Sequence, residues 1–423
     1  MSNLLEQVSR NVARSHHDDT TASQFDQKLA AVSVIIPTYN RSELLIRSVE
    51  RVLAQTHPPK QVIIVDDGST DGTAASVAGF GNEVEYLRKE NGGRASAINV
   101  ALKACHGDYI WIVDDDDLVM PRALERLCRA LGSSPNAMFS YGNHVWATGA
   151  SGKPAADTHG RTNAARATET SLFFDMLRFC HIRQSALLAR RTCYDVVGQF
   201  DERFVRSQDY ELLLRITRRF EGVRVDDVIF IEGDHPGLRG NAAERHTPAE
   251  RRRWWLKYDS LIFENLYREL DLHEYLPERN PPLPLGPVSQ RIALVRRLQV
   301  MGCRARWDHC AEDLARLMTE PFASHSLTPR ERGWLRDVLS DRLVALSLAK
   351  NPESLKTMIM NCRGSIGAQV RYEMFRGMYY TFRREFSWLS FQDRYSFLFA
   401  LIKLLGRSGF GEHLKRKAGR GVL

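Results

Sequence analysis

Tyr109-Ile110-Trp111-Ile112-Val113-Asp114-Asp115-Asp116-Asp117-Leu118 is the stretch whose reading decides the fold. Five aromatic or β-branched residues run directly into four consecutive carboxylates, and Met120-Pro121 then opens a helical pattern. Unbroken apolar character with an abrupt end predicts a strand covered on both faces, as in a parallel sheet. Open α/β sheets hold their ligands at the carboxyl ends of such strands. Adjacent carboxylates repel one another, and a divalent cation bound through hard oxygen ligands would discharge that repulsion. The competing reading is a solvated acidic turn that caps the next helix, because Asp is common at helix N-termini. Its place at a strand end favours the metal reading. For Asp117 alone, a helix cap and a ligand role stay equally open.

The neighbouring sequence repeats the theme. Val32-Ser33-Val34-Ile35-Ile36 predicts a strand stopped by Pro37, and Ser42 is expected to cap a helix carrying Leu44, Leu45, Val49, Val52 and Leu53 at helical spacing. Gln61 to Val65 predicts a second strand, ending in Asp66-Asp67-Gly68-Ser69-Thr70-Asp71-Gly72. A short helix over Thr73–Ala78, a strand over Val84–Leu87, a turn at Asn91-Gly92-Gly93-Arg94 and a helix over Ala95–Ala104 follow. Further on, a helix from Pro121 to Leu131 and strands over Met138–Gly142 and Arg224–Ile231 complete an alternation that argues for a doubly wound, mostly parallel sheet. Two strands then end in acidic loops, Asp66-Asp67 and Asp114 to Asp117, on one sheet edge. One carboxylate pair can accept hydrogen bonds from a nucleotide while the other holds a cation between two phosphates.

The segments Val34 to Arg41, Val65 to Thr73 and Val113 to Asp117 together resemble the family 2 glycosyltransferases, over residues 31–240. The resemblance implies a GT-A type α/β fold and an inverting, metal-dependent transfer from a nucleoside-diphosphate-sugar, with a UDP-sugar the expected donor. The acceptor would be a hydroxyl of a glycan or glycolipid, as in polysaccharide biosynthesis at the cell envelope. It implies that Pro37, Tyr39 and Asn40 border the nucleotide pocket, that Asp67 pairs with the base, and that Arg94 faces the nucleotide. Asp114 and Asp116 fit the Asp-x-Asp motif, Asp115 takes the ribose in an alternative register, and Asp116 binds Mn²⁺ or Mg²⁺. Asp209, in Ser207-Gln208-Asp209-Tyr210, matches the general base, and His235 matches a second metal ligand. The sequence departs from the family pattern at Gln208, where a Glu is usual, and at Ile98, where an Arg is usual. Read without the resemblance, Asp209 is a first-turn carboxylate complementing a helix dipole. Its chemistry also suits a base that takes a proton from an attacking hydroxyl.

The remainder is less specific. Residues 1–30 predict a polar N-terminal extension, residues 148–170 a Gly-, Ala- and Thr-rich loop, and residues 241–423 a helical domain. Within that domain, helices are expected at about 288–301, 308–318, 329–349, 352–361, 366–386 and 391–405. Charge divides along the same line: residues 1–240 hold 28 Lys+Arg against 31 Asp+Glu, and residues 241–423 hold 31 against 20. The basic half suggests a separate partner. Its aromatic, leucine-rich end, followed by Lys415-Arg416-Lys417, fits peripheral contact with an anionic membrane, or alternatively a helix packed in the bundle. No nucleic-acid-binding module is recognisable, so none is expected as partner. Seven cysteines without close pairing, no apolar run of roughly 18 residues and no signal peptide lead to the expectation of a cytoplasmic protein, or one peripheral on the inner face of the plasma membrane. The alternative to an enzyme is a non-catalytic scaffold that acts through its basic half.

Overall fold

The computed structural model describes residues 30–146, 171–233, 239–240, 245–246, 250–322 and 326–418. Residues 1–29 of the expected extension, the loop over 148–170 and His235 lie outside these. Contacts divide the chain into two units, Met1–Arg166 with His181–Pro248, and Ala167–Cys180 with Ala249–Leu423. The boundary expected at 240/241 thus leaves out the segment Ala167–Cys180, which groups with the helical half.

The first unit is built on one mixed sheet of eight strands, β1 (Val32–Thr38), β2 (Gln61–Asp66), β3 (Glu85–Arg88), β4 (Tyr109–Ile112), β5 (Leu118–Val119), β6 (Ala137–Trp146), β7 (Leu187–Arg190) and β8 (Glu221–Glu232). Their order is β3-β2-β1-β4-β7-β6-β8-β5. Six strands run one way; β7 and β5 run against them. The mostly parallel α/β sheet expected from the sequence is present. The two reversed strands were not foreseen. Leu187–Arg190 is four residues long and Leu118–Val119 two, too short to carry a period.

Every residue of β1 is buried, because β1 is hydrogen-bonded to β2 on one side and β4 on the other. Val32, Val34 and Ile36 alternate onto the face covered by α1 (Ser42–Leu53), through Leu45, Val49 and Val52. α2 (Thr73–Ala78) and α3 (Arg94–Ala104) follow β2 and β3, and α3 packs against β1 and β2. α4 (Ala123–Gly132) adds Leu124, Leu127 and Leu131 to the core that includes Trp111. Ser33 is tolerated in this apolar setting because its hydroxyl donates to Gln61 Oε1 at 2.6 Å and accepts from Gly107 N–H. Register does the rest. Thr38 lies beside Asp66 across β1 and β2, and Val113 N–H donates to Ile35 O, so the loops after β1, β2 and β4 open on one edge.

α5 (Leu172–Met176) belongs to the second unit; α6 (Arg191–Val197) and α7 (Gln208–Arg219) return to the first. The second unit continues with α8 (Arg251–Glu269), α9 (Pro287–Gly302), α10 (Trp307–Leu317), α11 (Pro329–Asp337), α12 (Arg342–Ala349), α13 (Pro352–Asn361), α14 (Gly364–Glu385) and α15 (Phe391–Ala418). The helix expected over 329–349 is two helices. Asp341 starts the second by accepting from Leu343 N–H and Val344 N–H, a local cap that ends one helix and opens the next. α15 continues past residue 405 to Ala418, with Gly406 at a φ of 77° inside it. Segment 167–180 joins this unit because Ser171 N–H donates to Pro277 O, while Arg296 and Arg304 donate to the carbonyls of Phe174 and Arg178. No described helix is long and apolar enough to cross a membrane.

Candidate active site

The three loops at the carboxyl edge enclose a cavity of about 670 Å³, lined by Pro37–Leu44, Asp67, Asp71, Asn91–Ala95, Asp114–Asp116 and part of the segment from Glu202 to Gln208. Eight sequence-derived residues meet there: Pro37, Tyr39, Asn40, Asp67, Arg94, Asp114, Asp115 and Asp116. Asp209 does not line this cavity. It lies half-buried one residue beyond the lining Gln208, in the first turn of α7, where its Oδ1 accepts from Tyr210 N–H at 2.9 Å.

Asn40 sits in the left-handed region at a φ of 53°, which Asn tolerates better than most residues. That conformation lets its N–H donate to Ser69 Oγ (2.9 Å) and its side-chain oxygen accept from Thr70 N–H (2.7 Å). Asn40 therefore ties the β1 loop to the β2 loop. Ser42 does not cap α1 with its side chain. The N-cap position is Arg41, and the Ser42 N–H donates to Asp71 Oδ2 at 3.3 Å, so the β2 loop supplies the acceptor.

Asp67 is buried and accepts four hydrogen bonds, from Lys89 Nζ (2.8 Å), Asn91 Nδ2 (3.1 Å), Gly92 N–H (2.9 Å) and Gly93 N–H (2.7 Å). A carboxylate offers about four lone-pair sites, so these donors fill it. In this arrangement Asp67 shapes the loop before α3, and pairing with a base would require one of the four to let go.

The acidic run divides into distinct environments. Asp114 faces the guanidinium of Arg94, with Nε–H donating to Oδ1 at 3.0 Å. Asp115 is buried and accepts from Thr38 Oγ1 (2.8 Å) and Arg41 (2.7 Å). Asp116 lies 3.7 Å from the same Arg41. Asp117 turns away from the cavity. It accepts from Ser185 Oγ at 2.6 Å and Gly233 N–H at 3.2 Å, and burial with the neighbouring Asp116 and Asp114 pushes its carboxyl well above the usual range. It does not cap the next helix: α4 starts at Ala123, with Arg122 at its N-cap position. Ser185 also accepts from Asp114 N–H, so one hydroxyl clips both ends of the run.

Arg41 is the residue the sequence left unassigned. Burial opposes its charge, yet Asp115, Asp116 and Asp114 hold its pKa above the ordinary arginine value. Arg94 behaves alike: burial opposes, and Asp114, Asp209 and Asp117 prevail. The signal for Arg41 was its place directly after the first motif, at the tip of a strand. Ile98, where an arginine was expected, is fully buried, and its neighbour Asn99 clamps the approach to α7 by donating to Phe200 O and Glu202 Oε1.

The carboxylates of Asp114, Asp115 and Asp116 do not converge on one point. Among the described residues the one close group of three ligand atoms is Glu264, Asp308 and His309 in the second unit, where Arg306 pairs with both carboxylates. The cavity residues still fit a hard cation, because a small divalent ion is commonly held by one or two carboxylates plus phosphate oxygens. Asp114 and Asp116 both line the cavity.

Residues 33–191 match the family model described as glycosyl transferase family 2. An uncharacterized glycosyltransferase of Rickettsia bellii is 32% identical over 220 residues, covering 50% of this chain and 30% of the relative. The glycosyltransferase GlyG of Streptococcus pneumoniae is 41% identical over 100 residues, covering 23% of this chain and 33% of the relative. The solved structure of S. aureus TarS 1–349 in complex with UDP-GlcNAc superposes with a TM-score of 0.47 at 16% identity, covering 84% of this chain and 92% of that one. The chain spans between 30% and 62% of the length of the first four curated relatives. The family match covers β1, β2 and β4 and the loops that build the cavity, so the likeness to glycosyl transferase family 2 lies in the part of the chain that forms the site.

Proposed function

We propose that the chain transfers a sugar from a nucleoside-diphosphate donor, with UDP the expected nucleotide, to an acceptor hydroxyl on a glycan or glycolipid, with inversion. The observation that carries the reading is the convergence of three family-2 loops on one cavity that presents both Arg41 and Arg94 and the carboxylates of Asp114 to Asp116. Pro37, Tyr39 and Asn40 border the nucleotide, Asp115 is its polar partner on the ribose side, and Asp67 pairs with the base once one of its four donors lets go. Asp116, with Asp114, would hold Mn²⁺ or Mg²⁺. Such a cation supplies charge stabilisation to a leaving diphosphate. Arg41 and Arg94 contribute fixed positive charge beside it.

Asp209 is the base. Its carboxylate takes the proton of the acceptor hydroxyl as that oxygen bonds to the anomeric carbon, while the bond to the diphosphate breaks and the electron pair leaves with it. Arg94 lies within electrostatic reach of both Asp114 and Asp209, so one cation links the donor side to the base. Attack opposite the leaving group inverts the anomeric centre and needs no covalent enzyme intermediate.

The test is a thermal-shift panel of nucleoside diphosphates and their sugars, with and without Mn²⁺, on wild type and Asp116→Ala. Ligands that bind the native state raise its melting temperature according to concentration and affinity. A metal-dependent rise with one nucleotide, lost in the variant, supports the reading and identifies the donor class. No rise with any nucleotide would overturn it in favour of a scaffold acting through the basic helical half.

A further inference from the structure

Eight of the sixteen exposed large hydrophobic side chains among the described residues fall between Tyr372 and Phe399. The most open are Phe391 at 86%, Trp388 at 78%, Tyr395 at 67% and Tyr380 at 64%. These are not residues of a loose end. α14 and α15 pack together through Phe382 and Phe397, whose ring centres are 5.7 Å apart, and Leu389 pins the corner between them at 5% exposure. Phe397, Ala400, Leu401 and Leu404 already fill the inward face of α15. Phe391, Tyr395, Leu398 and Phe399 recur at i, i+4, i+7 and i+8, so they form a second apolar stripe on the same helix. The fold holds that stripe outward.

Cations lie over this aromatic face. The Arg394 guanidinium is 4.2 Å from the centre of Phe386, Lys403 is 5.3 Å from Phe399, and Arg384 is 5.8 Å from Tyr380. Residues 371–406 hold six Lys or Arg against three Asp or Glu. All three acids are engaged, Glu373 with Arg336, Asp393 with Lys350 and Glu385 with Arg384, which leaves a net positive charge on the segment. A second copy of the chain would oppose this excess of positive charge with its own. A bilayer that carries anionic headgroups accepts the cations at its surface and the aromatic rings at its interface.

We propose that the outward face of the α14–α15 corner, centred on Trp388, Phe391 and Tyr395, is a docking surface for an anionic lipid bilayer. It lies within the helical unit and does not depend on the transferase reading.

The experiment is flotation of the full chain with vesicles of pure phosphatidylcholine and with vesicles containing phosphatidylglycerol. Wild type should bind the anionic vesicles at least about tenfold more tightly, and less so as salt is raised. The triple variant Trp388→Ser, Phe391→Ser, Tyr395→Ser should lower that binding about tenfold or more with an unchanged melting temperature, because the replaced side chains are solvent-facing. Arg383→Glu with Arg384→Glu, which removes no apolar surface, should abolish the preference for anionic lipid and carries the test if the triple variant fails to fold. Wild type that floats with neither vesicle, or variants that float as wild type does, would overturn the proposal. A concentration-dependent dimer in sedimentation velocity that the triple variant dissolves, with no vesicle binding, would assign the face to a second copy.

Discussion

Both units are rich in arginine–carboxylate pairs, and the two sets serve different ends. In the helical unit the pairs are staples. Arg291 meets Glu331 and Arg297 meets Asp313, with the arginine side chains only 7% and 12% exposed and both carboxylates 1%. In the sheet unit, Arg41 with Asp115 and Arg94 with Asp114 border a cavity, and the arginine side chains remain 28% and 25% exposed. A buried pair with all its hydrogen bonds made has nothing left to offer a ligand. A pair at a cavity mouth can exchange its partner for a phosphate or a metal. The residue types are identical, and access to solvent separates structure from chemistry.

The comparison can be broken in several ways, the most severe first. Asp209→Asn should lower transfer by about 10²–10⁴-fold while donor-induced thermal shifts persist, measured as initial rates beside the melting panel. Loss of donor binding instead would make Asp209 part of the donor site. In the helical unit, Glu331→Ala should cost about 3–5 kcal/mol of stability in denaturant titration, since it strands a buried guanidinium. It also removes the acceptor for Thr328 N–H in the capping box of α11. Little change would show that this staple is not one.

Two glycines sharpen the contrast. A Cβ at Gly233 would overlap the carbonyl oxygen of Asp116, and a Cβ at Gly377 would overlap that of Arg336. Each alanine variant should lose about 1–3 kcal/mol. Only Gly233→Ala should also abolish the Mn²⁺-dependent nucleotide shift, because it displaces Asp116. Equal effects of the two on nucleotide binding would refute the division of roles.

The smallest effect concerns pH. Burial, with Arg183 nearby, pushes His144 from 6.5 down to about 4, even though Glu232 lies 3.4 Å away. The unfolded chain binds that proton first, so the stabilisation is present above pH 6.5 and lost as pH falls through about 4. Between pH 7 and 5 the loss amounts to about 2 kcal/mol. His144→Gln should flatten the melting temperature across this window, and an unchanged slope would exclude His144 as its source.

The central strands and the acidic loops were legible because their signals are local. A doubly covered strand must be apolar throughout, and a strand-end carboxylate run stands out against it. The two reversed strands were not legible, because Leu118–Val119 and Leu187–Arg190 are too short to show a period and exist only where β8, β4 and β6 offer partners. Asp117 reads in sequence like its neighbours, and only Ser185 and Gly233, brought in from far along the chain, draw it inward. Arg41 gave one hint, its position after the first motif; its two carboxylate partners lie more than seventy residues away.

By itself the sequence determined the α/β character of residues 31–240, the order of the three motifs, the helical second half and its positive charge. Periodicity and composition follow from nearest neighbours along the chain, and the physics of burial makes them readable. The tertiary structure alone decided which of four adjacent aspartates face the cavity and that four donors fill Asp67. It also decided that the aromatic residues near Trp388 point outward rather than into the bundle. Each of these depends on which distant group arrives to donate a hydrogen bond or to cover a ring, and a linear sequence does not carry that information.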